Sequence, residues 1–127
     1  MKRNFYSLLF VVAVLLLVHG CASKGEKMSQ GDMKGHTIDI ATGDFYEACD
    51  RWTPGDKVSF SFASTAPVMF NVHYHTQEGV KYAIEQTMTD KLDGSFIVQT
   101  DDIHCGMWKN MNDDFVTLTY DMNVEKQ

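Results

Sequence analysis

His73 and His75 stand two apart in a run, Val68 to His75, that alternates apolar and polar residues. On a strand this spacing sends both imidazoles out of one face, together with Met69 and Asn71. Two same-face imidazoles can reach one ion. Further along, His104, Cys105, Met107, Trp108 and Met111 fall within eight residues. Imidazoles, a thiol and thioethers are the ligand types that soft copper(I) selects. The candidate metal set is therefore His73, His75, Cys105, Met107 and His104, with copper as the candidate cofactor. A plainer reading stands beside it: a solvated histidine pair, methionines as core filler and Trp108 as a packed core aromatic. If Cys105 is disulfide-bonded it cannot act as a thiolate ligand, and the metal reading then rests on the histidines and a methionine.

Catalytic patterns are missing. The chain has no Gly-x-Ser-x-Gly elbow, no His-Glu-x-x-His and no phosphate-cradling glycine loop. Asp101 and Asp102 precede His104, which allows a carboxylate–histidine pair, but two acids at a strand end read first as a solvated turn. Asp90, Asp93, Asp101 and Asp102 offer oxygen ligands for calcium without the spacing of a calcium loop. No catalytic residue is assigned, and the chain is expected not to be an enzyme.

The elements that must position these residues show period two, the mark of half-buried strands. Val58, Phe60 and Phe62 alternate with Lys57, Ser59 and Ser61. Val68, Phe70, Val72 and Tyr74 alternate with the histidine face. Val80, Tyr82 and Ile84, then Phe96 and Val98, then Val116, Leu118, Tyr120 and Met122 continue the pattern. Thr37 to Ile40 and Cys105 to Lys109 are shorter candidates, and Phe45 to Arg51 is a short candidate helix. Turn signals separate the runs: Thr53-Pro54-Gly55-Asp56, Ala66-Pro67, Gln77-Glu78-Gly79, Asp93-Gly94 and Asn112-Asp113-Asp114. The expectation is an all-β fold, an antiparallel β-sandwich of about seven or eight strands. Its expected core holds Val58, Phe60, Phe62, Val68, Phe70, Val72, Tyr74, Val80, Tyr82, Phe96, Val98, Trp108, Val116, Leu118 and Tyr120.

The chain opens with Lys2 and Arg3, an apolar run from Ser7 to Val18, and Gly20 before Cys21. This is the order of a secretory signal, and about 12 apolar residues are too few for a bilayer span of roughly 20. With Val18 three before the cysteine and Gly20 directly before it, the segment resembles a bacterial lipoprotein signal; His19 departs from the pattern. The resemblance implies cleavage after Gly20, lipid on Cys21, and a periplasm-facing position in the cell envelope. Ala22 after the cysteine, in place of the aspartate that retains such proteins at the inner membrane, favours the outer membrane. The divisions expected are a signal peptide at 1–20, a lipidated tether at 21–35 and one domain at 36–127.

Removing 20 of the 127 residues leaves 107, one small domain. It takes away two of the 11 basic residues and none of the 17 acids, for a mature charge of −8. Such an acidic chain lacks the basic stripe that nucleic acid needs. Of three cysteines, lipid on Cys21 leaves Cys49 and Cys105, and an oxidising compartment makes their disulfide the default. Closing a loop of about 56 residues is worth roughly 4 kcal/mol in the chain-entropy account.

The order of motifs adds a second likeness. Cys49 precedes a Gly55-Asp56 turn and a strand. Cys105-Gly106-Met107-Trp108-Lys109-Asn110 precedes the last strand. From about Asp44 to Val124 the chain resembles the GOLD-type, jelly-roll-like β-sandwich, whose two cysteines in these places are bridged. Gly106 to Asn110 partly matches a Gly–aromatic–x–aromatic–x–Asn turn of bacterial GOLD-like domains, with Met107 and Lys109 departing from it. The resemblance implies a non-catalytic module that binds proteins or ligands. The function expected is a lipid-anchored, envelope-facing binding module for a protein or small ligand. The alternative is a periplasmic copper-binding protein that uses His73 and His75 for buffering or delivery.

Overall fold

The computed structural model describes residues 33–127; the signal segment, Cys21 and the tether up to residue 32 lie outside them. Six strands make up the described fold: β1 (Met33–Ile40), β2 (Phe45–Trp52), β3 (Lys57–Thr76), β4 (Gly79–Ile97), β5 (Asp102–Lys109) and β6 (Val116–Glu125). All pairings are antiparallel. The fold is all-β, as expected. It differs from the expected seven or eight strands in two separate layers, because the six strands belong to one hydrogen-bonded sheet ordered β1-β6-β3-β5-β2, with β4 on the other edge of β3. β1 starts at Met33, three residues before the expected domain start at His36.

The strand count falls because two expected turns are not turns. Ala66-Pro67 lies inside the 20-residue β3. On one edge, Lys57–Ser64 pairs with β6 and Met69–Tyr74 pairs with β5, and the changeover falls between Ser64 and Met69. Pro67 sits in that gap, where its missing N–H costs no ladder bond. Asp93-Gly94 lies inside β4, where Gly94 pairs with Phe60. A Cβ at Gly94 would stand 3.0 Å from the Phe60 ring, so this glycine gives room to an aromatic instead of bending the chain. Gln77-Glu78 does form a turn, closing the β3–β4 hairpin at the Thr76–Gly79 pair with Gly79 at φ +116°. Phe45 to Arg51, the short candidate helix, is strand β2, whose buried residues Ala48 and Trp52 follow strand alternation.

The long β3–β4 hairpin thus carries β6 and β1 on one arm and β5 and β2 on the other, and the arms curl toward each other. Aromatic rings fill the space between them. Phe70 lies 4.8 Å from Phe62 and 5.3 Å from Trp108, and Trp108 lies 4.8 Å from Tyr120. Val58, Val68, Val72, Val116 and Leu118 are buried with them. Each such side chain, fully buried, contributes about 1.5–3 kcal/mol. Two expected core members, Val80 and Tyr82, are exposed. The β3–β4 register slips twice between Phe70 and His73, so Ile84 pairs with Val72 and Tyr82 with His73. Each slip adds a residue to β4 and reverses its facing.

Asn110 closes one end. Fully buried, its Nδ2 donates to the carbonyls of Ile40 (2.9 Å) and Asp114 (2.8 Å), and its Oδ1 accepts from the Asn112 amide (2.8 Å). One side chain therefore ties the β5–β6 turn to the end of β1.

Candidate functional site

Strand alternation and register bring the chemistry-bearing residues onto the outer face of the arm built from β2, β5, and the later half of β3 with its β4 partner. Three rows cross this arm. Cys49, Cys105, His73 and Tyr82 stand in register, one per strand. In the adjacent row are Glu47, Met107 and Asn71. Beyond that lie Phe45, Lys109, Met69 and Met88. The pairs Arg51–Ile103 and His75–Val80 flank the cysteine row.

Cys49 and Cys105 are disulfide-bonded, with Cα atoms 4.1 Å apart on directly opposed positions. Cys49 is exposed and Cys105 buried. Next to the bridge runs a polar chain. His73 Nδ1 lies 2.8 Å from Asn71 Oδ1, and His73 Nε2 lies 3.6 Å from Glu47 Oε1. Asn71 is 1% exposed and His73 6%, although both point outward. Burial lowers the His73 pKa below its ordinary 6.5; the Glu47 carboxylate opposes the shift and His75 adds to it. Neutral His73 carries one ring proton. In the observed arrangement that proton is on Nδ1, donated to Asn71 Oδ1, which leaves the Nε2 lone pair on the side of Glu47; Asn71 Nδ2 is buried without a partner.

The expected metal set is only partly assembled. The rings of His73 and His75 stand 5.3 Å apart, edge to face. His104 is on the opposite face, fully buried: it stacks on Trp52 at 5.3 Å, meets the Tyr74 ring at a tilt at 4.8 Å, and its Nδ1 donates to the Asp102 carbonyl at 3.0 Å. It cannot join His73, because adjacent strand positions face opposite ways. Cys105, bonded to Cys49, offers no thiolate, and both His73 nitrogens face polar neighbours. Met107 is on the outer face, in register with Glu47 and Asn71.

No carboxylate–histidine pair forms at His104. The Asp102 carboxylate accepts from the Ile103 amide, and Asp101 pairs with Arg51 at 2.8 Å. The acids weighed for calcium do not converge either: among the described residues, the group of three His, Cys, Asp or Glu side chains close enough to hold one ion is Glu47, Cys49 and Cys105. Glu47 is the member that sequence reasoning missed. Its signal was its position two before Cys49, which alternation reveals only once this segment is a strand.

No family model matches the chain, and no curated protein does. Similarity appears in solved structures, of which 22 chains match. The fold is similar to that of PliG from Aeromonas hydrophila, a periplasmic lysozyme inhibitor of g-type lysozyme. The TM-score is 0.60 at 8% identity, over 75% of this chain and 87% of that one. At that identity the likeness carries the fold alone. A de novo designed double-stranded β-helix (TM-score 0.37, 13% identity, 72% of this chain and 99% of that one) is more distant. So is the apo form of BiXyn10A CBM1 (0.42, 12%, 76% and 72%).

Proposed function

We propose that the chain is a non-catalytic binding module facing the periplasm, held in the envelope by lipid on Cys21, and that the outer face of the β2–β5 arm receives a protein partner. The observation that carries this is a clustering of apolar exposure. Among the described residues, five of the eight exposed large hydrophobic residues share that one face: Phe45, Val80, Tyr82, Met88 and Ile103. They surround a centre that holds the disulfide and the hydrogen-bonded His73–Asn71 pair beside Glu47. Clustering of exposed apolar side chains on one face marks a protein-interaction surface. The fold's likeness to a periplasmic lysozyme inhibitor supports a partner of the same class and names the first one to try, a g-type lysozyme. Ala22 beside the lipidated cysteine favours the outer membrane.

The test uses the lipid-free domain, Ala22 to Gln127, made in an oxidising compartment. It is assayed for slowing a g-type lysozyme and used to capture partners from an envelope extract. Capture that disappears in Tyr82→Asp and Ile103→Asp supports the face as the binding surface. Capture that persists unchanged in both overturns it.

A second reading, copper buffering or delivery, is favoured by the 5.3 Å approach of His73 to His75. Copper retained by the oxidised protein, and lost in the double change of both histidines to Ala, would establish it.

A further inference from the structure

The disulfide is surrounded by the makings of a metal site that its oxidation keeps closed. We propose that reduction of Cys49–Cys105 opens a zinc(II) site built from Cys49, Cys105, Glu47 and His73. This inference is independent of the docking reading.

Three of these donors, Glu47, Cys49 and Cys105, are already gathered, and His73 adjoins the group through Glu47 and Cys105. Ligand atoms of Glu47, Cys49 and Cys105 lie within 4.8 Å of one another. His73 is directly opposite Cys105, on the same face. The Nε2 of His73 lies 3.6 Å from Glu47 Oε1, too long for a hydrogen bond. Two ligands on a tetrahedral zinc at about 2.0–2.1 Å stand roughly 3.3 Å apart, so the imidazole and carboxylate already approximate one edge of such a site. Two thiolates at about 2.3 Å from the ion stand roughly 3.8 Å apart. Two thiolates, an imidazole and a carboxylate are the donor types zinc takes in four-coordinate sites. Directly opposed strands hold the cysteines together whether or not they are bonded, so the donors stay gathered when the bridge opens.

The chemistry balances with a dithiol as reductant. Cys49 is the less buried of the two cysteines, so attack is expected at its sulfur. One thiolate of the dithiol attacks Cys49 Sγ, the Cys49–Cys105 bond breaks, and Cys105 leaves as thiolate. The second thiolate then attacks the mixed disulfide, releasing Cys49 and leaving the dithiol oxidised. Binding zinc to the two thiols expels two protons. His73 binds through Nε2 as neutral imidazole, its ring proton on Nδ1 donated to Asn71 Oδ1.

The experiment compares the oxidised domain with the same protein reduced by a phosphine and desalted. Zinc is titrated against a chromogenic chelator, and cobalt(II) serves as a spectroscopic probe. The expected result is one zinc per reduced chain and none on the oxidised chain, with thiolate-to-cobalt charge-transfer bands. Glu47→Gln and His73→Ala are each expected to weaken binding tenfold or more. Binding that is unchanged in both variants, or equal in oxidised and reduced protein, overturns the proposal. Circular dichroism accompanies each titration. If reduction unfolds the domain and zinc fails to restore the strand signal, the proposal also falls.

Discussion

The ring of Trp108 in β5 lies 4.8 Å from that of Tyr120 in β6, although the two strands share no hydrogen bond. They are held to opposite halves of β3, so this contact bridges the curled arms of one sheet. Tyr120 Oη meets Tyr46 Oη at 2.9 Å, and Tyr46 stacks 6.2 Å from Trp108, which extends the bridge to β2. Burial, with the Tyr46 hydrogen bond, pushes the Tyr120 phenol well above the ordinary tyrosine range. Because Trp108 is fully buried, Trp108→Ala removes the centre of the contact between arms. The expected cost is about 3–5 kcal/mol, read as a lower urea midpoint by circular dichroism. A loss under about 1 kcal/mol would mean that the arms do not depend on this ring.

Much of this arrangement was legible in the sequence, and the exceptions have physical causes. The alternations Val58-Phe60-Phe62 and Val116-Leu118-Tyr120 identified buried faces correctly because each lies in a stretch of regular register. Val80 and Tyr82 failed because a bulge in β4 reverses facing without leaving a mark in a two-residue period. Ala66-Pro67 and Asp93-Gly94 failed because Pro and Gly serve strands as well as turns, one where a ladder changes partner and one where a ring needs space. His104 seemed to belong with His73 by proximity of sequence motifs, yet its parity sets it on the core side. Of the site itself, His73, Cys49 and Cys105 were visible. Glu47 was hidden inside a segment whose short apolar pattern fits a helix as well as a strand.

Gly94 gives the sharpest check on the strand reading of Asp93-Gly94. An alanine Cβ there would stand 3.0 Å from Phe60 Cζ and 3.3 Å from Cε1, so Gly94→Ala is expected to destabilise by about 1–3 kcal/mol through overpacking. Combining it with Phe60→Leu removes the clash, so the double change should cost less than the sum of the singles. Thermal melts of the four proteins decide the matter. Strict additivity would mean the ring and the glycine do not meet.

Acid stability should carry the signature of Asp56. Its carboxylate is buried in the β2–β3 turn and accepts from the Thr53 amide (3.0 Å), the Thr53 hydroxyl (3.2 Å) and Lys126 Nζ (2.8 Å). These bonds, Lys126 first, lower its pKa from 3.8 to about 2. The folded state thus holds its proton less tightly than the unfolded state. The stabilisation is full above pH 3.8 and is lost as pH falls through about 2. Asp56→Asn should be less stable than the parent at pH 6, with the difference shrinking as pH falls from 4 toward 2, followed by urea unfolding at each pH. A gap that stays constant through that window would remove Asp56 as its source.

The disulfide should matter for stability apart from any metal. It ties residues 56 apart in the chain, and in the chain-entropy account a loop of that size restrains the unfolded state by about 4 kcal/mol. Changing Cys49 and Cys105 together to Ser should lower the urea midpoint accordingly while leaving the strand spectrum of the folded protein intact, since the two positions oppose each other in a continuous β2–β5 ladder. A double variant as stable as the parent would show that the bridge adds no net stability through restraint of the unfolded chain.

Ile103 separates binding from folding. It is 52% exposed, on the proposed docking face beside the disulfide, so Ile103→Asp should change stability by no more than about 0.5 kcal/mol. At a docked interface the same carboxylate would be buried without a counter-charge, and a loss of about 2 kcal/mol or more in affinity is the expected size for an unpaired buried charge. Ile97, 49% exposed at the end of β4 where it pairs with Lys57 of the other arm, is the matched control. Partner capture should therefore fall at least about thirtyfold in Ile103→Asp and stay near the parent value in Ile97→Asp, measured by surface immobilisation of the captured partner. Equal losses in both would show that added negative charge, and not the face, controls binding; loss in Ile97→Asp alone would move the interface to the other arm.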